Sequence, residues 1–127
     1  VLALVLVFVF VFAVICVGVV ANALIFPTTS TNNITAIRLI NNFDFFIFVS
    51  EQDEKFGFFI FSKKILIEKN ILSTQIKEGK RGFRLYPTWV KTENKQAEKT
   101  QSWQTEYFID LKNNEQNNIE KLKSILN

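Results

Sequence analysis

The chain of 127 residues has no histidine, no methionine and a single cysteine, Cys16. Without histidine there is no His-based triad, no histidine zinc ligand and no imidazole acid–base chemistry. One cysteine builds neither a disulfide framework nor a Cys-rich metal site. The four glycines form neither a GxGxxG nor a GxxxxGK[ST] loop, so the usual phosphate cradles are missing. Charge is missing from the front of the chain. No charged residue precedes Arg38, although the whole carries 15 basic and 12 acidic side chains. The lack of methionine even at position 1 leads us to expect a chain that is processed, truncated or built from an incomplete gene.

What stands at the front is an apolar run. Residues 1–26 hold only Gly18 and Asn22 outside the apolar set. As a helix the run would span roughly 39 Å, against a hydrocarbon core of about 30 Å. No polar stripe interrupts it, as one would in a helix lying on a soluble core. The hydropathy pattern therefore predicts a transmembrane-like helix over residues 1–26. Two other readings stay open. The Val and Phe content also suits a buried strand pair, and Ala21-Asn22-Ala23 has the form of a signal-peptide cleavage site. All basic residues lie after the run, so the positive-inside rule favours a single-pass protein with a cytoplasmic C-terminal part, and otherwise a cytoplasmic one. The sequon Asn33-Ile34-Thr35 matters only if that part is exported.

Residues 27–42 open on Pro27 and are rich in Thr, Ser and Asn, which is linker chemistry. FDFFIFV (43–49) and FGFFIFS (56–62) follow, separated by EQDEK, and read as a β-hairpin. Alternation puts Phe43, Phe45, Ile47 and Val49 on one face, with Phe46 and Phe48 on the other. With both faces apolar the pair should be central in a sheet. Eight of the 14 phenylalanines lie in these two segments, so they signal core rather than a stacking platform. Ser62 offers an N-cap for a short helix over 63–70. Residues 73–80, STQIKEGK, form a polar loop. RGFRLYP (81–87) alternates like a strand. The spacing of Ala97, Thr100, Trp103 or Gln104, Tyr107 and Leu111 predicts a helix over about 94–111, with Asn94 as its N-cap. A last helix is expected over about 118–126. The fold class is thus α/β or α+β: an N-terminal transmembrane-like helix, then a small Phe-rich sheet with packing helices.

The basic residues cluster. From Lys63 to Lys99 there are ten Lys or Arg and four acids, a net +6 in a chain whose total is +3. Cations interleaved with Trp89 and Trp103 suit a nucleic-acid backbone, where they release counterions while flat rings stack. Lys95 and Lys99 sit one turn apart on a helix face. Signs of hydrolysis are thin. Acid-x-Lys occurs at Asp53/Lys55, Glu78/Lys80, Glu93/Lys95 and Asp110/Lys112, but none lies well inside an expected strand. Asp44 is the one acid in a strand core. Ser62/Lys64 is a conceivable dyad that nothing singles out. No catalytic residue, metal ligand, cofactor or small-molecule substrate emerges.

FDFFIF (43–48), FGFFIFSKKILIEKNILST (56–74), EGKRGFRLYPTW (78–89) and KQAEKTQSWQTEYF (95–108) together resemble the bacterial MepB-like family. The combination of KRGFRLYPTW with QAEKTQSWQTEYF is specific, and the resemblance covers roughly residues 43–111. It implies a cytoplasmic α/β protein related to restriction-endonuclease-like domains. The organisation expected is a transmembrane-like segment (1–26), a linker (27–42) and a partial MepB-like domain (43–127). On this reading Lys80, Arg81, Arg84, Lys95, Lys99 and Gln101 face a polyanion, joined by Lys77. Trp103, Tyr107 and Phe108 pack, and Trp89 is the aromatic expected to contact the ligand. Members of the family carry a polar, charged N-terminal half where this chain has the apolar run. Either the chain is a membrane-anchored variant, or the upstream reading frame is disturbed. Three functions follow as expectations. The first is a non-enzymatic basic module binding DNA. The second is a membrane-tethered module meeting anionic lipid or a membrane partner. The third is an inactive remnant of a PD-(D/E)XK-type nuclease fold.

Overall fold

The structure, a computed structural model, describes residues 23–29, 33–35, 37–40, 42–112 and 115–126. The Phe-rich hairpin is its centre. Strand β3 (Phe45–Gln52) and strand β4 (Lys55–Ser62) pair antiparallel in unbroken register from Phe45↔Ser62 to Gln52↔Lys55. Two residues close the turn, and Asp53 takes a positive φ of 56° there. Left-handed backbone suits the tight hairpin turns that match strand twist, and Asp tolerates it better than most side chains. Strand β1 (Ala23–Thr29) lies parallel to β3, and strand β6 (Phe108–Asp110) antiparallel to β4. The sheet order is β1-β3-β4-β6. Two three-residue strands, β2 (Asn33–Thr35) and β5 (Gly82–Arg84), form a separate antiparallel ladder.

The expectation that the hairpin is central and covered on both faces holds. Phe46 to Val49 and Phe58 to Phe61 are all buried. One face carries Phe46, Phe48, Phe59, Phe61 and Phe108 under helix α1 (Lys63–Glu68), helix α2 (Lys95–Gln104) and the small ladder. The other carries Ile47, Val49, Phe58, Ile60 and Ile109 under Leu122 and Leu126 of helix α3 (Glu115–Leu126). Full burial of each such side chain is worth about 1.5–3 kcal/mol, so this hairpin carries a large share of the hydrophobic stabilisation. Gly57 is required where it stands. A Cβ there would meet the Ile109 carbonyl oxygen at 2.3 Å, which lets β6 lie close against β4. Phe43 departs from the expected face. It precedes the strand, and its ring sits edge-on to Phe46, centroids 6.5 Å apart.

The front of the chain corrects the reading of residues 1–26 in part. Residues 1–22 lie outside the described residues. Residues 23–26, placed by hydropathy in a membrane-crossing helix, form β1 instead and pair with Phe45 to Phe48. A strand buried in a parallel pair reads as a continuous apolar run, as a spanning helix does. Among the described residues no helix is long and apolar enough to cross a membrane. The strand also runs through the boundary expected at Pro27. Proline has no N–H to donate, and the β1–β3 register shifts between Phe26 and Thr29. The stretch expected as linker contributes Ile34 and Ile37 to the core.

Helix ends follow local chemistry. Ser62 Oγ accepts from Ile65 N at 3.2 Å, and Asn94 Oδ1 accepts from Ala97 N at 2.8 Å, so both expected caps are present. The helix expected over 94–111 stops earlier, at Gln104. A 3₁₀ turn (Thr105–Tyr107) follows and leads into β6. The pull of β4 on Phe108 and Ile109 overrides the helical spacing there. Lys121 of α3 donates to the Thr105 and Phe108 carbonyls, both at 2.8 Å. Burial holds its ammonium below the ordinary lysine value, against the opposing pull of Glu106.

Candidate basic cleft

Beyond Arg84 the β5 ladder ends, and a side chain takes over its hydrogen bonding. Gln104, fully buried at the end of α2, accepts from Tyr86 N at 2.8 Å through Oε1 and donates from Nε2 to the Arg84 carbonyl at 2.9 Å. One turn earlier, Gln101 donates from Nε2 to the carbonyls of Pro87 at 2.9 Å and Val90 at 2.8 Å. The two amides staple α2 to the segment after β5. Between them, β5 and the cap of α1 enclose a cleft of about 310 Å³.

Its lining is one-sided in charge. Lys69, Lys80 and Arg84 line it, and among the described residues no carboxylate does. Gln96, Thr100 and Trp103 come from one face of α2, and Asn94 and Ala97 bring the amino-terminal turn of that helix to the edge. The positive end of the helix dipole adds to the three cations. The aromatic rings are already engaged. Lys69 Nζ lies 5.3 Å from the Trp103 ring centroid, and Arg84 Cζ lies 5.6 Å from that of Tyr86. These contacts orient both cations without neutralising them. A notch of about 60 Å³ shares Arg84, Tyr86, Asn94 and Ala97 and adds Lys91 and Glu93.

The residues expected to face a polyanion divide into groups. Lys80 and Arg84 meet in the cleft. Lys77 is exposed on the loop that leads to it. Arg81 points elsewhere, into a depression with Thr35, Arg38 and Leu39. Lys95 and Lys99 are exposed on a neighbouring face of α2 and do not line the cleft. Gln101 commits both amide hydrogens to the backbone of 87–90, which leaves it none for a phosphate. Trp89, expected to contact the ligand, packs edge-on to Phe108 at 5.3 Å. The sequence reading did not single out Lys69, Tyr86 or Gln104, and it offered Trp103 as a stacking ring from the charge pattern but as a packing ring from the family resemblance. Lys69 was visible only as one charge among the ten.

The acids do not gather. Glu78 pairs with Arg38 at 3.2 Å, Asp110 Oδ1 accepts from Lys112 N at 3.1 Å, and Asp53 sits in the hairpin turn. Asp44 lines a shallow depression with Lys63 and Lys64. Among the described residues, no three His, Cys, Asp or Glu side chains form a group able to hold a metal ion.

The family model described as MepB-like matches residues 23–110, more than two thirds of the chain. The chain belongs to the MepB-like family. A solved structure, the crystal structure of MepB, superposes with a TM-score of 0.60 at 29% identity, covering 72% of this chain and 71% of that one. No curated protein matches. The match begins at Ala23, the first residue of β1, and not at Phe43 as the resemblance suggested. The strand read as membrane-like is therefore part of the MepB-like fold.

Two predictions arise here. Gln104→Leu keeps the volume but strands the Tyr86 N–H and the Arg84 carbonyl, and should cost about 2–3 kcal/mol in a urea unfolding curve. No loss would mean that water replaces the amide. Tyr107 is held above the ordinary phenol value of 10.0, chiefly by burial and then by the charges of Glu106 and Glu68. A raised folded-state value contributes stability that is present below pH 10.0 and lost as the pH rises through it. With Tyr86→Phe, Tyr107 is the only phenol, and its absorbance titration should have a midpoint above 10.0. A midpoint at or below that value contradicts the assignment.

Proposed function

We propose that this MepB-like chain is a non-enzymatic nucleic-acid-binding module that grips phosphates in the cleft between β5 and α2. The observation that carries the reading is the lining: Lys69, Lys80 and Arg84, with no carboxylate among the described residues that line the cleft. Cations held beside low-dielectric walls focus the field toward an anion. The volume of about 310 Å³ lies at the small end of ligand sites, about 300–1,000 Å³. That suits one segment of a phosphodiester strand crossing the cleft rather than a duplex entering it. Lys77, Lys95 and Lys99 extend the basic surface around it. DNA is the expected nucleic acid.

The test is fluorescence anisotropy of a labelled DNA duplex at two salt concentrations, comparing the chain with a Lys69→Ala/Lys80→Ala/Arg84→Ala variant. Equal affinity and equal salt dependence in the two would overturn the reading. Binding to anionic vesicles that excess DNA does not displace would move the surface to a membrane role.

A further inference from the structure

The depression that receives Arg81 lies apart from the cleft and shares none of its lining residues. About 280 Å³ in volume, it is walled by Thr35, Arg38, Leu39 and Arg81. Among the described residues no carboxylate lines it, and no acid precedes Asp44 in the chain, so the β2 side has none to offer. Backbone contacts place both arginines. Thr35 is the register partner of Gly82, the residue after Arg81. Arg38 sits in a turn closed by Ile40 N, which donates to the Ile37 carbonyl at 2.9 Å, and the Arg38 carbonyl accepts from Ser73 N at 2.8 Å. Its guanidinium is poorly served. Glu78 Oε1 lies 3.2 Å from Nη1, yet Nη1 is buried and makes no hydrogen bond. A buried charged donor without an aligned acceptor is unfavourable and calls for an explanation. Glu78 is 67% exposed, so little holds its carboxylate in place.

We propose that Arg38, Arg81 and Thr35 form a second phosphate site, in which the ligand replaces Glu78 on Arg38. Two guanidiniums around one depression repel each other unless an anion lies between them. The guanidinium fork matches the oxygens of a phosphate, which has enough of them to meet both arginines and the Thr35 hydroxyl at once. A carboxylate, with two oxygens, fills one fork only. Phosphate also brings Nη1 the aligned acceptor that Glu78 does not. The site goes beyond the cleft reading and does not depend on it. Its phosphate comes from a nucleic-acid backbone or from free phosphate.

The experiment uses the full chain carrying Lys69→Ala/Lys80→Ala/Arg84→Ala, which removes the cleft cations, with and without Arg81→Gln. Thermal midpoints are read in sodium phosphate and in sodium chloride of equal ionic strength. A ligand bound only by the folded chain raises the midpoint with its concentration. Phosphate also stabilises proteins by exclusion from their surface, so the difference between the two variants is the measure. Arg81→Gln should weaken phosphate binding by about tenfold or more. Glu78→Gln removes the competing charge and should tighten it by up to about fivefold. An equal phosphate effect with and without Arg81→Gln overturns the site, as does an equal effect of acetate. Weaker binding by Glu78→Gln overturns the replacement of Glu78. The salt slope of DNA binding by the unaltered chain then separates the sources. Arg81→Gln lowers it by about 0.9 if the phosphate belongs to the duplex, and leaves it unchanged if the site takes free phosphate.

Discussion

Phe61→Ala is expected to cost about 3–5 kcal/mol, against the 5–15 kcal/mol that holds a typical domain folded. Phe61 is fully buried and is the meeting point of four rings. Its centroid lies 5.5 Å from Phe59, 5.9 Å from Phe48, 5.4 Å from Trp103 and 5.9 Å from Tyr107. Removing it deletes apolar transfer energy and leaves a void that the hydrogen-bonded sheet cannot collapse to fill. The void opens under Trp103, so damage to the core is also damage to the cleft floor that carries Lys69. The check is a urea unfolding curve with an unchanged slope and a lowered midpoint. Phe61→Leu, which keeps most of the volume, should recover most of the loss. A loss below about 1 kcal/mol for Phe61→Ala would mean that α2 does not rest on this ring.

That ring was legible in the sequence, and the cleft above it was not. FDFFIFV and FGFFIFS announce a two-faced hairpin because side chains alternate at period two and both sets are apolar. Ser62 and Asn94 announce helix starts because their oxygens accept locally, three residues on. Such features depend on neighbours in the chain. β1 failed for the opposite reason. A strand in a parallel pair has no polar face, so apolar run length alone does not separate it from a spanning helix. The end of α2 failed because Tyr107 and Leu111 continue the helical spacing by coincidence, and the pairing of β6 with β4 decides the backbone. The +6 window was visible in the charge count, but charge density does not say which cations converge. Lys69, Lys80 and Arg84 come from a helix cap, a loop and a strand. The amides of Gln101 and Gln104 tie α2, which supplies the facing wall, to the segment after β5, and a glutamine on a helix face carries no advance sign of that task.

The convergence makes the largest effect on binding calculable. Each phosphate neutralised by a fixed cation releases condensed counterions, with a slope of about 0.9 in log affinity against log salt per contact. Three cations acting together therefore account for a slope of about 2.7, and at 0.1 M salt for roughly a hundredfold to a thousandfold in affinity. The Lys69→Ala/Lys80→Ala/Arg84→Ala variant should lose that much and show a correspondingly shallower salt dependence. Its folding should be nearly intact. Lys80 and Arg84 are exposed, and Gln104 holds the Arg84 carbonyl rather than its side chain. The contrast is with Lys95→Ala/Lys99→Ala, two cations on the adjoining face of the same helix. If the cleft is the grip, this pair lowers affinity by less than about tenfold, because exposed charges outside the contact act only through a screened field. If the two variants weaken binding equally per charge removed, the basic surface attracts nucleic acid diffusely and the cleft has no special part in it. The ratio of the two losses, measured at the same salt, separates a built phosphate site from a merely positive face.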